Sequence, residues 1–215
     1  MARAQRHPQR WLVIMAKTPR LGAVKTRLGR DIGAVAAARF HRVTSANVIR
    51  RLAADPRWRS IVAVAPDRPA GSRHWPARVP VMGQGAGDLG ARMRRIMRVM
   101  PPGPVIIVGT DIPALMAAHV ARAFKRLGGY DAVLGPAGDG GYWLAGLRRS
   151  PRVLDIFNGV RWSSPQALSD TVANLKGRTI GFADELRDVD EAESYRRHGG
   201  AGARVIPPLR YRLSW

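Results

Sequence analysis

An aspartate, Asp111, stands three residues after the end of an apolar run. Residues 104–108 are apolar, as in a strand that is buried on both faces of a parallel sheet, and the run ends at a glycine, a hydroxyl and Asp111. Pro113 stops the strand from continuing. Because open α/β sheets bind ligands at the carboxyl ends of their strands, we predict that Asp111 lies in a ligand-binding site. The alternative is that Asp111 only caps a helix that begins near Leu115.

The connection after the first apolar run, residues 11–16, is rich in cations. It carries four basic residues and two residues that allow close approach of a ligand to the backbone, namely Lys17, Arg20, Lys25, Arg27, Gly22 and Thr26. A chain of phosphates needs several cations and free amide donors that converge on it. The spacing is neither that of a Walker P-loop nor that of a dinucleotide-binding GxGxxG motif. We predict a phosphate-binding loop, with an exposed basic loop as the alternative.

A glycine-rich turn at residues 138–142 is the third candidate. Gly140 and Gly141 permit a backbone that other residues could not adopt, and they leave room for a substrate. Asp139 could then hold an acceptor hydroxyl or approach a metal, and Tyr142 could stack on a ligand. The alternative is a hairpin in which Asp139 only forms the turn and Tyr142 only packs.

The predicted strands and helices, which must position these residues, alternate along the chain. Apolar runs predict strands at 11–16, 60–65, 79–82, 104–108, 130–135, 143–147 and 179–182. Helical patterns cover 32–54, 89–100, 116–127, 163–175 and 190–198. Asp88 follows Gly87 and is placed to cap the helix at 89–100, whose start would attract anions. The alternation predicts an α/β fold with a mostly parallel sheet and helices on both faces, in a single domain with a core at about 11–198 and a basic tail at 204–215.

Composition sets further limits. The 215 residues suffice for one domain, and the absence of cysteine leaves only oxygen and histidine ligands for a metal. The apolar stretch that follows the basic start is too short for a signal peptide or a membrane span, so we expect a cytoplasmic protein. The net charge of +21 favours polyanions. Because the arginines are scattered and no zinc-finger, RNA-recognition or helix-turn-helix pattern is present, we predict no specific nucleic-acid partner, while peripheral contact with a membrane surface stays open.

Four motifs, taken together and in order, resemble a known family. They are MAKTPRLGAVKTRL at 15–28, GDLGARM at 87–93, VGTDIP at 108–113 and LGPAGDGGY at 134–142. With them the chain resembles the DUF2064 family, also called radical-SAM/selenodomain-associated transferase 1, over about residues 12–195. That family is similar to the lactate-phosphate guanylyltransferases of coenzyme F420 synthesis and belongs to the nucleotide-diphospho-sugar transferase superfamily. The resemblance implies a GT-A-type α/β fold and a transferase that uses a nucleotide.

The resemblance also implies roles for single residues. In related nucleotidyltransferases the first loop holds the nucleoside triphosphate, which places on the phosphates Lys17, Gly22, Lys25, Thr26 and Arg27. Gly87 and Asp88 are expected on the same nucleotide side. Lys25 and Arg27 would stabilise charge that develops on the reacting phosphate. The expected acceptor side consists of Asp139, Gly140, Gly141, Tyr142 and Trp162.

Two acids are implied as ligands of Mg2+ or Mn2+. Asp111 matches the first, although its neighbour Ile112 replaces the small polar residue that the family more often has there. Asp190 matches the second, with Asp188 beside it, but Glu191-Ala192 replaces the Thr-Pro of many relatives. A hard cation of this kind takes oxygen ligands, typically one or two carboxylates with substrate phosphates and water. The alternative for Asp188 and Asp190 is a pair that only caps the last helix.

The expected function is therefore a metal-dependent transfer between a nucleotide and a small-molecule acceptor. The cations of the first loop suit a triphosphate better than a sugar diphosphate, which favours nucleotidyl transfer to a phosphorylated or hydroxyl acceptor. A glycosyltransferase with a nucleotide-sugar donor is the alternative, and a non-enzymatic polyanion-binding protein is the second alternative. The residues predict no particular acceptor, base or oligomeric state.

Overall fold

A computed structural model of the protein describes residues 8–67, 74–150, 152–187 and 195. Within these residues, seven strands form one sheet: β1 (Trp11–Lys17), β2 (Arg59–Ala65), β3 (Val81–Gly83), β4 (Val105–Val108), β5 (Ala132–Pro136), β6 (Tyr142–Leu147) and β7 (Ile180–Phe182). The helices are α1 (Thr26–Ile32), α2 (Ala34–Ala53), α3 (Leu89–Val99), α4 (Ala117–Arg126) and α5 (Ala167–Ala173). The strand order is β3-β2-β1-β4-β6-β5-β7.

Every strand of the sheet except β6 runs in the same direction. β1 pairs in parallel with β2 and β4, β2 with β3, and β5 with β7, whereas β6 is antiparallel to both β4 and β5. The connection between β5 and β6 is residues 137–141, which is too short for a crossover, so the two strands form a hairpin. The prediction of a mostly parallel α/β sheet is confirmed, and the carboxyl ends of six strands lie along one edge.

Helices cover both faces of the sheet, as predicted. Leu12 points to one face, where it packs in a core with Ile49 of α2 and with residues of α4. Val13 points to the other face, toward Ile96 of α3 and partly buried residues of α5. Alternate residues of one strand therefore serve two separate cores, which is why the strands read as continuous apolar runs.

The helix ends differ from the prediction at two places. A short helix, α1, begins within the predicted phosphate-binding loop, and Gly33, with a φ of 88°, separates it from α2. α5 begins later than predicted, after Gln166, because Ser163 has a left-handed φ of 58° and cannot lie in a helix there. The predicted cap of α3 is confirmed, since Asp88 accepts a hydrogen bond from the Ala91 amide.

The end of the chain is only partly covered by the structure. The predicted helix at 190–198 and the basic tail at 204–215 lie outside the described residues, except for Tyr195, whose ring contacts Phe40 of α2 edge-on. No helix in the described part of the chain is long and apolar enough to span a membrane.

Candidate functional site

One cavity of about 200 Å3 lies where the carboxyl ends of β1 and β4 meet. We call it the β1–β4 pocket, and it is lined by Lys17, Val24, Lys25, Thr26, Arg27, His41 and Asp111. Lys17 is the last residue of β1, and Asp111 follows β4. Since the two strands are parallel neighbours, their ends bring the cations of the first loop to the acid. Five residues that the sequence pointed to as candidates thus share a single pocket.

An ion pair between Lys25 and Asp111 forms the centre of the pocket. Lys25 Nζ lies 3.2 Å from Asp111 Oδ1, and the lysine side chain is 5% exposed while the aspartate side chain is 50% exposed. The pocket wall therefore buries the cation and leaves the carboxylate open to a ligand. Asp111 is not a helix cap, because the residue that precedes α4 is Met116.

The backbone of Lys25 is strained. It has a φ of 48° and a ψ of 47° directly before α1, in the left-handed region that residues with a β carbon avoid. Strain of this kind persists only where the surroundings fix it, and it is common at ligand-binding positions. The side chain of this residue lines the pocket.

His41 is the pocket residue that the sequence reasoning missed. It lies on α2 and is 4% exposed. Its Nε2 lies 3.0 Å from the carbonyl oxygen of Lys17, and its Nδ1 lies 3.7 Å from Asp111 Oδ1. Because a carbonyl only accepts, Nε2–H is the donor of the first contact. The sequence signal was a histidine on the buried face of a helix, in register with Ala37 and Ser45, which metal-ligand spacing alone does not reveal.

The charge of Asp111 follows from these neighbours. Desolvation in the pocket raises the pKa of this carboxyl, but the contact from His41 and the charge of Lys25 outweigh that effect and lower the pKa to about 2. Asp111 is therefore a carboxylate at neutral pH, which is the form that binds cations.

Helix α2 also holds the segment that carries Asp111. The Ser45 hydroxyl donates to the Thr110 hydroxyl at 3.1 Å, and both side chains are buried. The Arg51 guanidinium donates to the carbonyl oxygens of Pro113 and Leu115 at 3.0 and 2.6 Å. Segment 110–115 is thus fixed from α2 on both sides of the acid.

The other residues predicted on the nucleotide side do not line this pocket. Gly22, with a φ of 73°, lies in the first loop, and Gly87, with a φ of 99°, precedes the cap of α3. The Gly87–Asp88 segment follows β3 at the same edge of the sheet. Gln84 anchors it by donating to the carbonyl oxygens of two strands, at Ala16 and Ala63.

The residues predicted on the acceptor side form a separate cluster. Asp139 Oδ1 accepts from the Gly141 amide at 2.9 Å, as a turn-forming aspartate does. A β carbon on Gly140, whose φ is 83°, would lie 2.3 Å from the Pro165 carbonyl oxygen, so only glycine fits there. The Tyr142 hydroxyl is within hydrogen-bonding distance of Thr171.

The aromatic side chains of this cluster are packed into the protein. The rings of Tyr142 and Trp162 meet edge-on with centroids 6.2 Å apart, and Trp162 also lies against Gly90 of α3. Burial raises the pKa of the Tyr142 hydroxyl. Neither ring lines the β1–β4 pocket.

The pocket suits a hard divalent cation that also binds substrate. Asp190 and Asp188 lie outside the described residues, and within the described ranges no group of three or more histidine or acidic side chains could by itself hold a metal. Mg2+ needs only one or two carboxylates when phosphates and water complete its ligands. Asp111 offers a half-exposed carboxylate in a pocket that three cationic side chains also line, which leaves room for a cation with phosphate and water ligands.

The sequence matches the model of one known protein family. The model of the family DUF2064, described as an uncharacterized protein conserved in bacteria, matches residues 48–164, which is more than half of the sequence. The chain belongs to the DUF2064 family. No curated protein matches this DUF2064 sequence.

Solved structures show the fold. A candidate nucleotide-diphospho-sugar transferase from Desulfovibrio desulfuricans G20 is similar with a TM-score of 0.80 and 27% identity, over 89% of this chain and 88% of that one. A nucleotidyl transferase from Methanothermobacter thermautotrophicus gives a TM-score of 0.60 and 15% identity, over 88% and 95%. CMP:2-keto-3-deoxy-manno-octonic acid synthetase complexed with CTP gives 0.56 and 13%, over 88% and 96%. The DUF2064 chain therefore has the predicted nucleotide-diphospho-sugar transferase fold, while the relation to coenzyme F420 synthesis stays a prediction.

Proposed function

We propose that this DUF2064 chain is a divalent-metal-dependent nucleotidyltransferase, which moves a nucleotidyl group from a nucleoside triphosphate to a small phosphorylated or hydroxyl acceptor. The observation that carries the proposal is that Lys17, Lys25 and Arg27 line one pocket with Asp111, whose carboxylate forms an ion pair with Lys25. Several cations around one acid suit a polyphosphate held together with a metal ion. The names of the similar structures, a nucleotidyl transferase and a synthetase complexed with CTP among them, support the same chemistry.

The residues would divide the work between binding and charge stabilisation. Lys17 and Arg27, both exposed at the pocket, would bind the outer phosphates as charge-assisted donors. Lys25, buried beside Asp111, would face the reacting phosphate and stabilise the charge that develops there. Asp111, with Asp190 as its proposed partner, would hold Mg2+ or Mn2+, which supplies charge neutralisation at the phosphate when bound.

The proposed reaction is a displacement at the α-phosphorus. An oxygen of the acceptor attacks that phosphorus and forms the new P–O bond, while the bond to the bridging oxygen breaks and pyrophosphate leaves. The pocket contributes position and fixed charge, which account for most of the acceleration in reactions of this type. The cluster from Asp139 to Trp162, along the same edge of the sheet, is the proposed acceptor side.

A glycosyl transfer is the second candidate. The name of the Desulfovibrio desulfuricans structure favours it, since that protein is a candidate nucleotide-diphospho-sugar transferase. The same pocket would then bind a nucleotide-sugar, whose diphosphate needs fewer cations than a triphosphate.

Isothermal titration of the full chain tests the proposal. We expect the four common nucleoside triphosphates, as a group, to bind more tightly with Mg2+ than with EDTA, and more tightly than nucleotide-sugars. Asp111→Asn should lose the Mg2+-dependent part of the affinity. Asp155→Asn is the matched control, because Asp155 is a surface acid of similar exposure, 42%, paired with Arg94 outside the pocket.

Two outcomes would contradict nucleotidyl transfer. Tight binding of nucleotide-sugars with none of triphosphates would favour glycosyl transfer. Binding to any polyanion that ignores Mg2+ and falls steeply with salt would favour the non-enzymatic alternative. Release of labelled pyrophosphate in a screen of phosphorylated and hydroxylated small molecules would then identify the acceptor.

A further inference from the structure

His41 contacts two parts of the pocket that are far apart in the sequence. Its ring lies between the carbonyl oxygen of Lys17, where the first loop begins, and the carboxylate of Asp111, which follows β4. The side chain is almost fully buried, so its contacts are with the protein rather than with bulk water. One ring nitrogen of His41 thus faces the first loop and the other faces the acid of the pocket.

The ring orientation is fixed by the contact with Lys17. Nε2–H donates to that carbonyl at 3.0 Å, a normal hydrogen-bond length, which directs Nδ1 at Asp111 Oδ1. The 3.7 Å between Nδ1 and Oδ1 is longer than a direct hydrogen bond. Lys25 makes its shortest contact with the same oxygen, Oδ1, so both groups restrain one side of the carboxylate.

The helix that carries His41 is tied to the same segment. Ser45, one turn further along α2, bonds to Thr110, and Arg51 bonds to the carbonyl oxygens that follow Asp111. The imidazole and the carboxylate therefore belong to one rigid unit, and the ring links this unit to the first loop.

We propose that His41 is a positioning residue of the β1–β4 pocket, which holds Asp111 and the start of the first loop at the spacing that a metal-bound triphosphate requires. The inference rests on the proposed function of the pocket. Replacing a side chain that orients a metal-binding group, without touching the metal itself, typically lowers the metal affinity by about 10- to 100-fold.

Two substitutions separate the two contacts of the ring. A glutamine amide reaches about as far as Nε2 of histidine and an asparagine amide about as far as Nδ1. His41→Gln therefore keeps a donor for the Lys17 carbonyl, whereas His41→Asn loses that donor and leaves a polar group beside Asp111. Thr171→Val is the control, because Thr171 is equally buried and also has two hydrogen-bond contacts, but lies outside the pocket lining.

The measurement is the affinity for the triphosphate that the wild type binds best, with Mg2+ and with EDTA, together with the melting temperature of each variant. We expect His41→Gln to weaken Mg2+-dependent binding by at least about tenfold and to leave metal-free binding within about twofold. His41→Asn should recover part of the loss, and Thr171→Val should lower the melting temperature without changing either affinity. If His41→Gln does not fold, His41→Asn carries the test, and it should lose part of the Mg2+-dependent affinity while it keeps its metal-free affinity within about twofold.

The outcomes distinguish this inference from the proposed function. If the wild type binds no triphosphate with Mg2+, the proposed function is wrong, and the role inferred for His41 is then also wrong. If the wild type binds and His41→Gln binds equally well, only the role of His41 is wrong. Equal losses in both His41 variants, with melting temperatures that fall in parallel, would also overturn it, because they indicate a structural role alone.

Discussion

Lys25 combines a strained backbone with a buried ammonium group, and the two features have opposite effects on stability. The left-handed conformation costs about 1–2 kcal/mol for a residue with a β carbon. The ion pair with Asp111, and the proposed contact with phosphate, would offset that cost.

A comparison of Lys25→Gly with Lys25→Ala isolates the strain. Both variants remove the ammonium group, so both should weaken triphosphate binding at least about tenfold if Lys25 contacts the phosphates. Only glycine relieves the backbone, so we expect Lys25→Gly to be more stable than Lys25→Ala by about 1 kcal/mol in urea unfolding. An alanine variant that is as stable as the glycine variant would show that the conformation is not strained.

Asp111 should make the free energy of unfolding decrease at acidic pH. Its folded-state pKa of about 2 lies below the ordinary value of 3.8, so its contribution is complete above pH 3.8 and is lost as the pH falls toward 2. We expect the wild type to exceed Asp111→Asn by about 1 kcal/mol at neutral pH, a figure reduced because the side chain is half exposed. The difference should shrink between about pH 4 and pH 2. A difference that stays constant over this range in urea unfolding would argue against the depressed pKa.

At the scale of single residues, the sequence predicted the acid and the cations but not the histidine. Asp111 could be predicted because it follows an apolar run, and Lys25 because it lies in a loop rich in basic residues. No local sequence pattern indicates a role for His41. Its partners, Lys17 and Asp111, are 24 and 70 positions away, and only the packing of α2 brings them together.

At the scale of elements, α2 acts as the support of the pocket. The 20-residue helix begins after Gly33 and presents His41, Ser45 and Arg51 along its length to β1 and to segment 110–115. Arg51 supplies donors to two backbone carbonyl oxygens of that segment, and Ser45 bonds to the Thr110 hydroxyl.

Adjacent arginines of α2 provide a matched test of this support. Arg51 donates to two carbonyl oxygens of segment 110–115, whereas Arg50 makes an exposed bond to Asn47 of its own helix. Arg51→Met should lower the free energy of unfolding by about 2 kcal/mol, and Arg50→Met by less than about 0.5 kcal/mol. Faster hydrogen exchange of the Leu115 amide in Arg51→Met alone would locate the effect, and equal losses in both variants would contradict it.

Element boundaries were predicted best where the pattern was strongly periodic or strongly apolar. The helix α3 and the strand β4 follow the prediction within a residue or two. The prediction failed around Gly33 and Ser163, where the backbone conformation of one residue decides where a helix starts or stops. Residue type alone does not determine that conformation for a serine.

At the scale of the whole molecule, the net charge of +21 determines the electrostatics of the surface. Some of the basic side chains lie in ion pairs, such as Arg161 with Asp170 and Arg122 with Asp184. The excess of 36 basic over 15 acidic residues still leaves strong repulsion across the surface.

Salt should therefore stabilise the protein. Raising NaCl from about 0.01 M to about 0.15 M shortens the Debye length from about 30 Å to about 8 Å, which screens repulsion between separated arginines more than attraction within close pairs. We expect the melting temperature at pH 7 to rise over this range and then to level off. A melting temperature that falls would mean that attractive pairs dominate the surface.

The direction of the strands has a consequence for how such a protein can change. Because all strands but β6 run the same way, the ends of β1, β4 and β5 place the cationic loop, the acid and the glycine-rich turn on one rim, and the core packing lies beneath it. Segments at that rim can be exchanged by mutation while the interior stays untouched. Descendants of one ancestral chain could in this way acquire new chemistry and keep the same architecture.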